Sequence, residues 1–255
     1  MRADIYLFSN GHANSRSHAK ALIEEGSVKI DGKVIDKASF DITDSEHFIE
    51  ITDTQKFVSR GGLKLEAALD VFEIDVKGKR AIDIGASTGG FTDCLLNRGA
   101  ERVVCVDSGV GQLHPKIASD KRVTNIEKYN ARELSTEIIP EGADIAVMDV
   151  SFISQTLILP RIKGVLKENG CLISLIKPQF EAGRAAIGKG GIVKDKKDRL
   201  AAILRVRDSA SSVGLYMMGL IISPITGGDG NIEFLGYFKQ EGNIISEEQI
   251  KKLIK

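Results

Sequence analysis

Two hydrophobic rhythms divide this chain. Up to about residue 54 the apolar positions come in short bursts. IYLFSNG and SRSHAKALIEEG space them as helices do, the second bounded by a Ser15 or Ser17 cap and a Gly26 stop. SVKIDGKVI then reads as a strand, a tight Asp31-Gly32 turn and a second strand. Phe40, Ile42, Phe48, Ile49 and Ile51 predict further short strands. From Leu63 the rhythm changes. LKLEAALDVF sets Leu65, Leu69 and Phe72 on one helical face, and RAIDIG, ERVVCVD, RVTNIE, ADIAVMD, CLISLIK, LYMMGLII and NIEFLGYF are short apolar runs with strand character. GGFTDCLLNRG, SQTLILPRIKGVLK and KKDRLAAILRVRDSASSVG are the helices between them. That alternation predicts an α/β domain with a doubly wound, mostly parallel sheet. SPITGGDG, with no helical pattern, joins the last two strands and predicts an antiparallel last strand. The expected organisation is a small α+β domain over residues 1–54, a linker over 55–62 and a large α/β domain over 63–255.

Composition narrows the class without naming it. The 255 residues are 42% hydrophobic and 27% charged, ordinary globular values. Lys plus Arg and Asp plus Glu both number 35, so net charge gives no overall pull toward a polyanion and any such binding must be local. The longest apolar runs, such as MMGLIISPI, fall far short of a membrane span, and the first residues lack a secretory pattern, so a soluble cytoplasmic protein is expected. Cys94, Cys105 and Cys171 have no ligand spacing with the histidines. Buried, reduced thiols are expected, with neither disulfides nor a metal.

A glycine loop supplies the first candidate chemistry. After RAIDIG comes Asp83-x-Gly85-x-x-x-Gly89-Gly90 and then a helix, a place where backbone N–H groups can approach a ligand closely. The spacing departs from the dinucleotide fingerprint G-x-G-x-x-G. It matches the D-x-G-x-x-x-G form common in S-adenosylmethionine-dependent methyltransferases. Asp107 ends the next strand, where a carboxylate can accept hydrogen bonds from ribose hydroxyls. The candidate donor-binding residues are Asp83, Gly85, Ser87, Thr88, Gly89, Gly90, Phe91, Asp107 and Asp149. A tight turn with no ligand is the plainer reading of the same glycines.

Four charges fall where such a fold rarely places charge. Asp149 and Lys177 end parallel strands, and ligands of open α/β sheets bind beyond those ends. Lys64 lies in the first turn of a helix that packs antiparallel to RAIDIG, which brings it to the same edge. Glu233 opens the last strand and reaches that edge if the strand is antiparallel. Taken singly, Lys64 reads as a solvated helix residue, Glu233 as a strand-edge charge and Asp149 as a helix cap. Lys177, fixed between LISLI and Pro178, is costly to desolvate without a partner or a task.

SRGGLKLEAAL, DIGASTGGFTDCLL, MDVSFIS, LIKPQFEAGR and SPITGGDGNIEFL resemble, in this order, the TlyA family of ribosomal RNA 2'-O-methyltransferases within the wider FtsJ-like class. The resemblance runs from about Ser59 to Phe238. It implies a Rossmann-like class I methyltransferase fold with a seven-stranded sheet and S-adenosylmethionine as cofactor. It further implies a catalytic Lys-Asp-Lys-Glu tetrad at Lys64, Asp149, Lys177 and Glu233, and a ribosomal RNA or ribosomal subunit as partner, methylated at a cytidine ribose. Residues 2–52 resemble an RNA-binding domain of the ribosomal-protein-S-four type. Arg2, Arg16, Lys20 and Lys29 are its candidate phosphate contacts, with Arg60 in the linker, although residues 1–60 hold eight basic and ten acidic side chains. Over residues 181–199 six basic residues stand against three acids. Arg184 and Lys189 there are the candidates for an RNA-touching loop.

A ribose hydroxyl is a weak acid, so methyl transfer gains from a base in hydrogen-bonding reach. Lys177, with Lys64 near it, is the expected base, Lys64 and Asp149 position the hydroxyl, and Glu233 orients a lysine. A dinucleotide-dependent oxidoreductase competes for the glycine loop but lacks its fingerprint. A base N-methyltransferase would carry an N/D-P-P-Y pattern where this chain has Asp149-Val150-Ser151-Phe152. A cytolysin, a label attached to some members of this family, remains a third class, to be decided by liposome leakage.

Overall fold

A computed structural model describes residues 1–13, 16–24, 26–43, 47–51, 56–227 and 230–254. The chain divides into two compact units, Met1–Gln55 and Lys56–Lys255.

In the first unit, helices α1 (Ala3–Ser9) and α2 (Arg16–Glu24) accompany an antiparallel sheet of order β2-β1-β3, made of β1 (Val28–Ile30), β2 (Lys33–Val34) and β3 (Ile49–Ile51). The Asp31-Gly32 turn forms as expected, with φ of 51° and 77° at its two residues, the left-handed pair a two-residue hairpin requires. Leu7, Leu22, Ile23, Val28 and Ile42 fill the core. Of the two expected caps, Ser15 lies outside the described residues and Ser17 falls inside α2. No strand forms at Phe40 and Ile42. Ile42 is buried there from irregular backbone, while Phe40 and Phe48 stay exposed, because burial of an alternate side chain does not need a sheet partner.

The second unit holds a seven-stranded sheet of order β6-β5-β4-β7-β8-β10-β9. Its strands are β4 (Arg80–Ile84), β5 (Arg102–Val106), β6 (Val123–Ile126), β7 (Ala143–Met148), β8 (Leu166–Ile176), β9 (Tyr216–Ile222) and β10 (Phe234–Lys239). β4 to β8 pair in parallel, and β10 runs antiparallel between β8 and β9. The antiparallel last strand is therefore present. The helices are α3 (Gly61–Val71), α4 (Gly90–Asn97), α5 (Pro115–Ala118), α6 (Leu159–Val165), α7 (Pro178–Glu181), α8 (Lys196–Ser212) and α9 (Glu247–Leu253). β8 starts at Leu166, so the helical reading of Leu166 and Lys167 gives way to strand pairing with β7.

Side chains alternate across each strand, and this sorts the core into two layers. Ile82, Ile84, Met148, Leu172 and Phe238 face α6, α8 and α9. Ala81, Cys105, Val147, Ile173 and Leu235 face α3 and α4, together with Leu65, Leu69, Phe91 and Leu95. Asp83 shares the parity of Ala81 and so points into the second, mostly apolar layer. The three cysteines are free and buried, and burial pushes their thiols up to about 12, 12 and 11 for Cys94, Cys105 and Cys171.

Residues 56–62, read from sequence as part of a linker, are ordered within the second unit. Phe57 is buried, the Val58 N–H donates to Asp93 Oδ2 at 2.8 Å, and α3 already begins at Gly61. Gly62 must lack a side chain, since a Cβ there would overlap the Phe57 ring.

Candidate active site

The carboxyl ends of β4, β5, β7 and β8 form one edge, and the start of α3 meets it. β4 leads into the glycine loop. Gly85 has φ of 82°, and a Cβ on it would collide with the Asp149 carbonyl oxygen at the end of β7, so only glycine lets the two strand ends come this close. Gly89, with φ of 90°, caps α4. Asp107, one residue past β5, accepts hydrogen bonds from the Ser87 N–H (2.8 Å) and the Gly109 N–H (2.7 Å), which fixes its carboxylate at the loop.

All four tetrad candidates meet at this edge, in two ion pairs. Lys64 Nζ lies 2.5 Å from Glu233 Oε2, a pair almost wholly removed from water. Lys177 Nζ lies 2.6 Å from Asp149 Oδ1. The angle of that second approach leaves Asp149 Oδ1 buried without a hydrogen bond, while Lys177 Nζ donates to Ser151 Oγ at 2.8 Å. The sequence reading set Lys64 beside Lys177 as a second cation. The structure gives each lysine a carboxylate.

Among the described residues, three cavities open on this edge. One of about 310 Å³ is lined by Lys64, Lys177 and Asp149, by Arg60, and by Gly85, Ser87, Thr88, Gly90 and Phe91 of the loop. A second of about 480 Å³ lies between Asp107, Ser87 and Gly85 on one side and Tyr129, Asn130 and Ile158 on the other. A third of about 310 Å³ is bounded by Ser151, Phe152, Lys177, Gln179, Phe180 and Glu233.

Asp83 does not line any of them. It is fully buried beneath the loop, where Thr92 Oγ1 donates to its Oδ2 at 2.7 Å and Oδ1 has no partner. Burial raises its carboxyl to about 7, with the charges of Asp149 and Asp107 adding to the effect. Its place is under the loop and not in the cavity, a correction to the expected direct contact.

The turn after β7 was legible only in part. Phe152 is 92% exposed with φ of 63°, and its ring meets Phe180 at 5.3 Å between centroids. Ser151, Phe152, Gln112, Tyr129 and Asn130 are cavity residues that sequence reasoning did not single out. Serine and asparagine at loop positions carry no periodicity to betray them.

The segment after Lys177 is not a bare loop. It contains α7 and two 3₁₀ turns, Arg184–Ala186 and Lys189–Gly191, and the buried Asn231 side chain ties it down, accepting from the Val193 N–H and donating to the Gly191 carbonyl. Arg184 and Lys189 are exposed on it. In the first unit Arg2 and Arg16 share the carboxylate of Asp4: Arg2 donates through Nε at 2.9 Å and Arg16 through Nη2 at 3.4 Å. The Arg2 hydrogen bond above all holds the Asp4 carboxyl below the usual carboxylate range. Lys20 is exposed and Lys29 half-buried on β1.

A parallel sheet with one inserted antiparallel strand, a glycine loop after its central strand and an acid ending the neighbouring strand define a methyltransferase-type α/β domain. Residues 57–240 match the model of the FtsJ-like methyltransferases and residues 1–47 that of the S4 domain. The chain belongs to the FtsJ-like methyltransferases and, within them, to the TlyA family. It is 40% identical to the Mycobacterium tuberculosis protein named 16S/23S rRNA (cytidine-2'-O)-methyltransferase TlyA, over 94% of this chain and 90% of that one. It is 42% identical to the Brachyspira hyodysenteriae protein named Hemolysin A, over 93% and 99%. A solved structure from Streptococcus thermophilus superposes with a TM-score of 0.81 at 40% identity, covering 100% of this chain and 94% of that one.

Proposed function

We propose that this chain methylates a ribose 2'-hydroxyl of ribosomal RNA, at a cytidine, with S-adenosylmethionine as donor. The observation that carries the reading is the meeting of Lys64–Glu233 and Lys177–Asp149 at the edge that also holds the glycine loop. The name of the M. tuberculosis relative supplies the cytidine and the ribosomal substrate.

The residues fit such a donor. Asp107, already oriented by two backbone N–H groups, keeps lone pairs for ribose hydroxyls, and Tyr129, Asn130 and Ile158 offer walls for a purine. Asp149 Oδ1, buried and lacking a hydrogen bond, is an acceptor in want of a donor. When bound, S-adenosylmethionine would supply an electrophilic methyl group on a sulfonium. Lys177 Nζ, in its neutral form, accepts the proton that the 2'-hydroxyl gives up, and Asp149 pairs with the ammonium that results. Lys64, held by Glu233, presents its ammonium to the oxygen as negative charge develops there. Arg60, which lines the cavity, and the exposed Arg184 and Lys189 are the proposed phosphate contacts of this unit, and Arg2, Arg16, Lys20 and Lys29 those of the first.

The test is transfer of labelled methyl from S-adenosylmethionine to ribosomal subunits of a strain lacking the protein. Label is expected in 2'-O-methylcytidine; label on a base, or none, would overturn the reading. Lys177→Ala should lower kcat by roughly 100-fold or more while donor affinity, measured by calorimetry, persists. Retained turnover would remove Lys177 as the base.

A further inference from the structure

A lysine amine has four tetrahedral directions. One is taken by its own Cε. At Lys177 a second is taken by the N–H that donates to Ser151 Oγ, 2.8 Å away. Asp149 Oδ1, 2.6 Å from the same nitrogen, is an ion-pair partner outside hydrogen-bond geometry. In the neutral amine, the N–H held by Ser151 confines the lone pair to the directions that remain, and these include the cavity that Lys177 lines with Lys64 and the glycine loop. We infer that Ser151 is a positioning residue which, by taking one N–H of Lys177, aims the nitrogen lone pair at the substrate hydroxyl.

Three further observations agree. Ser151 lines all three cavities at this edge, so it stands where the donor and the acceptor nucleoside must meet. The backbone next to it is strained: Phe152 sits at φ of 63°, a left-handed conformation unfavourable for a bulky residue that persists only where its surroundings enforce it. The turn is enforced from below by a buried polar network. Ser154 Oγ and the Gln155 N–H both donate to the Glu181 carboxylate, at 2.5 and 2.8 Å. Gln155 Nε2 donates to the Leu175 carbonyl, and Ser174 Oγ donates to Gln155 Oε1. Leu175 and Ser174 belong to β8, whose end carries Lys177. The same network therefore locks the turn of Ser151 to the strand of Lys177, and the short bond between them follows from the scaffold.

The inference rests on the reading of Lys177 as base, and its test separates the two. In the full-length protein Ser151→Ala should lower kcat by roughly 10- to 100-fold, with the Kd of S-adenosylmethionine, the KM for ribosomal subunits and Tm unchanged. The solvent deuterium isotope effect on kcat should rise, because proton transfer becomes the slow step. Ser151→Thr, which keeps the hydroxyl, should restore kcat to within a few-fold. Should the alanine variant lose donor binding or Tm, the comparison of wild type with Ser151→Thr and Ser151→Cys decides, since only the hydroxyl is a good acceptor. A Ser151→Ala enzyme with wild-type kcat, or a threonine variant as impaired as the alanine or cysteine one, overturns the role of Ser151. A wild-type protein that transfers no methyl to ribosomal RNA overturns the underlying reading instead.

Discussion

Asp83 accepts one hydrogen bond from Thr92, has no contact with solvent and keeps its other oxygen unpaired, the conditions under which a carboxyl prefers to hold its proton. Its value rises from 3.8 to about 7. Across that window the unfolded chain has released the proton and the folded chain has not. Stability therefore falls as pH rises from about 4 to about 7 and is level above, with a full effect on the order of 4 kcal/mol. Asp83→Asn keeps an acceptor for Thr92 and removes the titration. Its Tm relative to wild type should climb between pH 5 and pH 7 and level off above. A constant difference across that range would show that Asp83 is ionised in the fold. The same residue shows a limit of motif reading. D-x-G-x-x-x-G places an acid beside the loop, but strand parity turns its side chain away from the ligand and into the layer beneath.

The turn after β7 depends on one carboxylate. Glu181 is buried, and burial raises its carboxyl even though Ser154 and Gln155 donate to it. Glu181→Ala would leave the Gln155 N–H unpaired inside the protein, a penalty of about 1–3 kcal/mol, and would free the turn that presents Ser151 and Phe152. A lower Tm together with a lower kcat is expected, with the donor Kd nearly unchanged because Asp107 and the glycine loop are untouched. Unchanged kcat in a folded variant would show that the turn holds its place without Glu181. Elements of this kind were half legible. The strand before Lys177 and the proline after it declare a strand end. That Glu181, four residues on, reaches back to the preceding crossover was not, because the contact joins segments more than twenty residues apart.

For the molecule as a whole, charge balance explains little and charge placement explains more. Positive and negative residues are equal in number, and the first unit gains no overall positive field. Arg2 and Arg16, however, are pinned by one buried carboxylate, so their guanidinium groups are held in place and cost little entropy to engage a phosphate. Replacing both by alanine in the full-length protein should weaken binding to ribosomal RNA and lower the slope of log affinity against log salt by roughly one to two. An unchanged slope would place the phosphate contacts elsewhere.

By itself the sequence determined the two-part organisation, the α/β class, the glycine loop and the identity of the four charged residues, because periodicity, turn chemistry and spacing are local properties that survive in one dimension. It also determined their common edge, since strand direction follows from the alternation of strands and helices. Only the tertiary structure decided how the four pair, Lys64 with Glu233 and Lys177 with Asp149, because those partners lie far apart in the chain and either lysine could have met either acid. It alone decided that Asp83 lies below the loop and that Ser151 touches Lys177. Both depend on which way a side chain faces and how two loops are locked together, and these are fixed by packing and by buried hydrogen bonds.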